Sequence, residues 1–205
     1  SLWPGCITNG TLMVIERFYE TPVDQIPSVP SGFNAYSYKL LHNPDYSLIK
    51  YSVTHFADFV RGCRQLVNTF DTGDSPSLLA QQVSRIQHLI KHRTIEKLAA
   101  AEKEKKFTPR QVIYFSYYLR YHFKNEVFEL IDILCRFDAW NSMVIAIRKF
   151  GLSFPVFTED AQPAVSASSL FHILVPDPVA YDVQLNGENN FIFLTGANMA
   201  GKSTF

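Results

Sequence analysis

The feature that most constrains this chain is a glycine-rich loop pattern near its end. Residues 196–203 read G-A-N-M-A-G-K-S, which fits the phosphate-binding pattern G-x-x-x-x-G-K-[ST]. The apolar run Phe191–Thr195 comes directly before it and predicts a buried strand that leads into the loop. In such loops, backbone N–H groups and the N-terminus of the next helix bind phosphate. The alternative to a phosphate-binding loop is an ordinary glycine turn that is followed by Lys-Ser by chance.

Each residue of the pattern has a chemical role in phosphate binding. The two glycines let the backbone turn sharply and approach phosphate without an intervening Cβ. The Lys202 amine is expected to reach the β- and γ-phosphates, and the Ser203 hydroxyl is expected to bind Mg²⁺. The residues expected to bind the nucleotide are Gly196, Ala197, Asn198, Met199, Ala200, Gly201, Lys202, Ser203 and Thr204.

The interior of the loop narrows the choice of family. Residues 195–204 read T-G-A-N-M-A-G-K-S-T, which resembles the Walker A loop of the MutS family of DNA mismatch repair ATPases, T-G-P-N-M-[GA]-G-K-S-T. The departure is Ala197 in place of proline, which removes no phosphate ligand. A second stretch, Phe137–Ser142 followed by Gly151 and Pro155, is similar to a segment that leads into the ATPase domain of that family.

The resemblance implies an ATP hydrolase that uses ATP and Mg²⁺, with Lys202 as its catalytic residue. It implies that ATP binding and hydrolysis are coupled to DNA binding through lever helices, in a homodimer that binds DNA when intact, with a MutL-like partner. The family often carries His-Pro upstream of the loop, where this chain has His172-Ile173. By the same resemblance, the adenine pocket is expected at Phe171, His172, Val179 and Tyr181. The alternative function is a nucleotide-switched dimerisation or interaction scaffold without mismatch recognition.

Composition limits the other possibilities. The chain has 205 residues, 19 basic and 19 acidic, so it lacks the basic excess of a surface dedicated to coating DNA. Three cysteines without a C-x-x-C pattern predict free thiols and a cytoplasmic location. No apolar run reaches membrane-spanning length, which predicts no membrane contact. Because the chain starts at Ser1 and stops at Phe205, we expect it to be a truncated piece that is itself inactive.

The pattern along the chain predicts a mainly α fold, in which a helical core is followed by short strands that begin a P-loop ATPase domain. Apolar periodicity and cap signals at Asn43-Pro44, Ser75-Pro76 and Thr108-Pro109 predict helices over 45–70, 76–104 and 109–150. Short strands are predicted at 156–157, 164–171, 181–185 and 191–194, and a turn at 186–190. The predicted domains are a connector segment over 1–43, a lever-like helical core over 44–151, and the truncated start of the ATPase domain over 152–205.

Two features limit the resemblance. Full mismatch-repair members interrupt their lever helices with a strand-rich clamp, whereas only helix is predicted between Phe70 and Phe123. The chain therefore resembles a shortened relative, which puts mismatch recognition in doubt. The aromatic-rich segment 114–123 allows base stacking, but helix packing is favoured because no basic face accompanies it. His88 and His92 are four residues apart with no evident third metal ligand.

Overall fold

A computed structural model describes residues 3–70, 76–101, 107–159, 162–197 and 201–202. The chain divides into two compact units, residues 1–139 and 140–205. The described part is mainly helical, as predicted. Its helices are α1 (Asn9–Glu20), α2 (Gly32–Leu41), α3 (Asn43–Thr69), α4 (Ser77–Ile90), α5 (Arg93–Ala100), α6 (Pro109–His122) and α7 (Lys124–Phe150).

Side-chain caps fix where several of these helices begin. The Thr8 hydroxyl accepts a hydrogen bond from Thr11 N at the start of α1, and the Ser31 hydroxyl accepts one from Asn34 N at the start of α2. At α6, Thr108 and Gln111 form a reciprocal capping box, which confirms the predicted Thr108-Pro109 start. The predicted N-cap Ser75 lies outside the described residues, and α4 begins at Ser77.

The first unit packs around α3, whose apolar stripe lies against α1, α4, α5 and α6. Phe18 of α1 and Phe56 of α3 are both fully buried, and their ring centroids lie 5.2 Å apart in an edge-to-face arrangement. The Tyr19 ring meets the same Phe56 ring at 5.9 Å. These aromatic contacts therefore join α1 to the buried apolar face of α3.

The helix predictions are confirmed in outline, with three differences in detail. The segment predicted as one helix over 76–104 is divided, because α4 ends at Ile90 and His92 becomes the N-cap of α5. The segment predicted as helix over 109–150 is divided at Phe123 into α6 and α7. Helices α1 and α2 fall in residues 1–43, which were predicted as a connector segment. In the described part of 70–123 the structure shows helices and no strand.

Helix α7 ends at Phe150, the last residue of the segment predicted as helix over 109–150. Gly151 has a φ of 65°, in the left-handed region that favours glycine. The Leu152 N–H donates to the Ile147 carbonyl at 3.1 Å, which closes the last turn in a Schellman arrangement. The predicted domain boundary near residue 151 remains a prediction.

The second unit contains one antiparallel pair of strands, β1 (Val165–Leu170) and β2 (Tyr181–Leu185), among its described residues. Val165 pairs with Leu185 at one end, and Leu170 pairs with Tyr181 at the other, with a bulge between Ala167 and Leu170. These two strands confirm the predictions over 164–171 and 181–185. The predicted strands at 156–157 and 191–194 are wrong, since both segments lack strand pairing in the structure.

Three arginines bind backbone carbonyls and tie distant segments together. Arg120 donates to the Phe18 and Thr21 carbonyls, at 2.5 and 2.9 Å, where α1 ends. Arg61 donates to the Ala99 and Ala101 carbonyls at the end of α5, and Arg110 donates to the Pro30 carbonyl at 3.0 Å. A cation is favourable at a helix C-terminus because the last carbonyls have no helical partner.

Other expectations concern thiols and membranes. Cys6, Cys63 and Cys135 are free thiols, as predicted, and Cys63 is fully buried. None of the described helices is both long enough and apolar enough to cross a membrane.

Gly62→Ala is expected to destabilise the first unit. A Cβ at this position of α3 would overlap Ile7 Cγ1 and lie 2.8 Å from Ile7 Cδ1 and 3.0 Å from Cys6 Sγ. Ile7 is itself buried, so relief requires a shift of packed atoms, at a cost of about 1–3 kcal/mol. Urea unfolding followed by circular dichroism measures this loss. Gly32→Ala is the control, because nothing lies within 4 Å of its added Cβ; equal effects of the two changes would contradict the packing argument.

Buried tyrosines predict a loss of stability at alkaline pH. Burial raises the pKa of Tyr38 to about 12 and that of Tyr118 to about 12, and it also raises the pKa of Tyr19. In the unfolded chain tyrosine releases its proton near pH 10, so between about pH 10 and 12 the folded state binds more protons and the unfolding free energy falls as pH rises. Urea midpoints measured across this window check the slope, and Tyr38→Phe should reduce it. A flat profile would show that these hydroxyls titrate normally.

Candidate nucleotide-binding site

The described part of the predicted phosphate loop comprises Gly196, Ala197, Gly201 and Lys202. Gly201 has a φ of 83°, which a residue with a side chain adopts only with strain. The Lys202 Nζ donates to the Gly196 carbonyl at 2.7 Å and to the Ala197 carbonyl at 2.8 Å. The amine therefore reaches back across the loop and binds the backbone at its start.

The Lys202 amine is held by two backbone carbonyls of the predicted phosphate loop. Lys202 is partly exposed, and the two carbonyls that it binds belong to exposed residues. Carbonyl dipoles hold an ammonium group less strongly than a phosphate does, because hydrogen bonds between charged groups are the stronger class. The arrangement is therefore compatible with an amine that exchanges loop carbonyls for an anionic ligand.

Several predicted site residues lie outside the described part of the chain. They are Asn198, Met199 and Ala200 inside the loop, Ser203 as the expected Mg²⁺ ligand, and Thr204. Their roles remain predictions that follow from the sequence pattern and the resemblance.

The segment before the loop differs from its prediction. Residues 191–194 were expected to form a buried strand, but Phe191 and Phe193 are 77% and 78% exposed and the segment has no strand partner among the described residues. The central strands of parallel sheets are buried on both faces and paired at both edges. The apolar run satisfies the sequence pattern of such a strand, but the described part of the chain offers it neither a partner strand nor a covering helix.

The expected adenine-pocket residues are brought only partly together. Tyr181 opens β2 opposite Leu170, and the half-buried Phe171 follows Leu170 directly, so the strand register places these two rings at one end of the pair. His172 is exposed, and its Nδ1 accepts from Leu174 N at 3.3 Å within the connecting segment. Val179 is 86% exposed. The adenine pocket therefore remains a prediction.

A cavity that the sequence did not indicate lies at the opposite end of the strand pair. It has a volume of about 450 Å³, and its lining includes Val165 and Leu185, the residues that pair at that end. Phe157 and Val156, which were predicted as a strand, contribute to its wall. No sequence signal marks this cavity, because its lining comes from separate segments of the second unit.

His92 has structural partners on neighbouring residues. His92 Nδ1 lies 2.8 Å from the Tyr118 hydroxyl and accepts from Thr94 N, since the helix containing His88 ends before it. A spacing of four residues would place His88 and His92 on one face of a continuous helix. They belong to different helix ends instead, because α4 ends at Ile90 and His92 is the N-cap of α5. Phe115 and Phe123 of the aromatic segment are buried, which supports packing as their role, whereas Tyr114 and Tyr121 are partly exposed.

A cluster missed by sequence analysis joins Asp24, His42 and Asp45. Their ligand-type atoms lie within 4.8 Å of one another, with His42 Nδ1 2.6 Å from an Asp24 carboxylate oxygen. The Asp45 carboxylate accepts from the Asp24 N–H and occupies the first turn of α3. The positive end of a helix favours a carboxylate and disfavours a cation. We therefore interpret the cluster as an anchor for the start of α3.

Comparison with known proteins gives a partial similarity. The DNA mismatch repair protein MutS of Pseudothermotoga lettingae is 32% identical to this chain over 81 residues. The match covers 38% of this chain and 10% of the MutS sequence, so the chain corresponds to a small part of that relative. No family model matches the chain, and no solved structure matches it significantly. The comparison supports a MutS-like relationship for part of the chain.

Proposed function

We propose that this chain is part of a MutS-like DNA mismatch repair ATPase, in which ATP binding and hydrolysis are coupled to DNA binding. The observation that carries the proposal is the 32% identity to MutS over 81 residues. The loop pattern over 196–203 also supports it, since that pattern binds nucleotide phosphates in many proteins.

In this proposal the loop residues bind Mg-ATP. The Lys202 amine leaves the Gly196 and Ala197 carbonyls and binds the β- and γ-phosphates, where its charge stabilises the transferring phosphoryl group. Ser203 supplies an oxygen ligand to Mg²⁺. Gly201 keeps the loop backbone in its left-handed turn.

In this proposal, the long helices transmit the difference between the ATP-bound and the hydrolysed state. Helices α3 and α7 each have 27 residues, which corresponds to about 40 Å at the helical rise. Loops ordered by the γ-phosphate and Mg²⁺ move between states, and rigid helices can carry such movement over their length. We propose that a homodimer of the full-length protein uses this movement to grip DNA.

The alternative is a nucleotide-switched dimerisation or interaction scaffold without mismatch recognition. The observation that favours it is the helical character of the described residues between Phe70 and Phe123, where a strand-rich clamp would interrupt the levers. The balance of 19 basic and 19 acidic residues also favours it, because affinity for DNA comes largely from Lys and Arg neutralising phosphates.

ATP turnover by the full-length protein distinguishes the two functions. The assay is run without DNA, with a matched duplex and with the same duplex carrying one mismatch, at about 150 mM salt. Stimulation by DNA that is greatest with the mismatch supports the repair ATPase. If the rate of ATP turnover is the same with and without DNA, and nucleotide binding changes the oligomeric state, the result supports the scaffold. Absence of both nucleotide binding and turnover would contradict both functions.

A further inference from the structure

The first unit contains an open groove that is lined by none of the residues of the predicted nucleotide site. We name it the α5–α6 groove, because it lies between the last turn of α5, the first turns of α6 and the segment Ser28–Pro30. Its volume is about 810 Å³, which suits a ligand of several residues or one small molecule.

One side of the groove is apolar. Val29 is 78% exposed, and Tyr114 is 39% exposed above the buried Phe115 ring, whose centroid lies 5.4 Å from that of Tyr114. The Tyr114 hydroxyl lies 3.2 Å from Thr94 Oγ1, which fixes the ring as part of the wall. Exposed apolar side chains gathered at a concave surface mark a binding site more often than scattered ones do.

The charged groups of the groove are all cationic. Lys97 and Arg110 line it, and none of the described lining residues is acidic. Arg110 donates through Nε to the Pro30 carbonyl, which holds the guanidinium at the rim and fixes the course of the 28–30 segment. Both side chains are exposed and have no carboxylate partner within the described part of the chain. A carboxylate is the complementary ligand, since guanidinium and carboxylate match in charge and geometry.

We propose that the α5–α6 groove binds an acidic peptide segment of a partner protein, with an apolar side chain against Val29 and Tyr114 and flanking carboxylates on Lys97 and Arg110. Two cations beside an apolar wall fit a short anchored segment. A nucleic-acid backbone would need a row of cations spaced along it. This inference concerns a partner site and does not depend on nucleotide binding at Lys202.

The test uses the whole chain and a fluorescein-labelled peptide, Gly-Asp-Leu-Phe-Glu-Gly, followed by fluorescence anisotropy. A neutral peptide with Asn and Gln in place of Asp and Glu is the matched probe, and a short oligothymidylate represents nucleic acid. We expect saturable binding of the acidic peptide, weakened about tenfold in the neutral peptide and in Lys97→Glu. Lys91→Glu makes the same charge change outside the groove and should alter binding less than about twofold.

A second variant separates the groove from general charge effects. Val29→Asp replaces a side chain that is 78% exposed, so the fold should survive, which circular dichroism checks. It should weaken the acidic peptide at least as much as Lys97→Glu does, because it removes the apolar contact and adds a repelling charge. The proposal is overturned by absence of saturable binding, by equal binding of the neutral peptide, by equal loss in Lys91→Glu, or by tighter binding of oligothymidylate that depends on Lys97.

Discussion

Phe56→Ala should lower the unfolding free energy of the helical unit by about 3–5 kcal/mol, the largest stability effect that we expect. Phe56 has no exposed surface, and its ring meets the Phe18 and Tyr19 rings edge to face. The truncation removes these contacts and leaves a cavity between α1 and α3 that the surrounding helices can close only in part. Urea unfolding followed by far-ultraviolet circular dichroism measures the change.

The matched control lies on the same helix. Tyr51→Ala removes an aromatic side chain that is 57% exposed, and it should change stability by less than about 1 kcal/mol. If both variants lose similar stability, burial of the Phe56 ring would not explain the effect of Phe56→Ala, because the Tyr51 side chain is largely exposed. If neither loses stability, the buried aromatic contact between α1 and α3 would be contradicted.

Lys202→Ala in the full-length protein should reduce ATP turnover by about 10²–10³-fold, the largest effect on activity that we expect. In the proposed function, this amine stabilises charge on the transferring phosphoryl group. Among the described residues, the side chain donates to the Gly196 and Ala197 carbonyls, which are exposed, so its loss should leave the urea midpoint nearly unchanged. Steady-state phosphate release measures the turnover.

Lys149→Ala is the control for the loss of one positive charge. The Lys149 amine lies over the Phe150 ring at 5.0 Å, at the end of α7, and it has no part in the phosphate loop. Its turnover should match that of the parent protein. Full activity of Lys202→Ala would reject the assignment of residues 196–203 as a phosphate loop, whatever the stability of the variant.

The helical unit was largely predictable because its signals are local. The helix predicted over 45–70 needed only helical spacing, and the predicted start of α6 needed only Thr108 and Pro109; the structure adds the capping box between Thr108 and Gln111. Gly151 ended α7 because its left-handed φ favours a residue without a Cβ. Each of these features depends on neighbours within a few positions in the chain.

The features that the sequence did not predict depend on distant partners. Helices α4 and α5 are separated at Lys91 and His92, where the sequence has no glycine or proline to mark a break. The His92 side chain that caps α5 contacts the Tyr118 hydroxyl of another helix. The strand predicted over 191–194 had the right apolar run, but pairing requires a neighbouring strand that the run itself cannot specify. The α5–α6 groove likewise unites segments that are distant in the chain, so no motif marks it.

For the predicted phosphate loop, the sequence pattern specifies more residue roles than the described part of the structure does. The pattern over 196–203 assigns a role to each of its fixed positions, including Ser203, which lies outside the described residues. The structure adds the left-handed turn at Gly201 and the position of the Lys202 amine. The chemistry assigned to these positions remains a proposal.

The arginines that bind carbonyls use their positive charge inside the fold. The formal charge of the chain is zero, from 19 basic and 19 acidic residues, and the guanidinium groups of Arg61, Arg110 and Arg120 face backbone oxygens. The dipoles of those carbonyls carry no net charge, so the formal charge of the chain is unchanged and the three guanidinium groups act as anchors for the ends of distant segments.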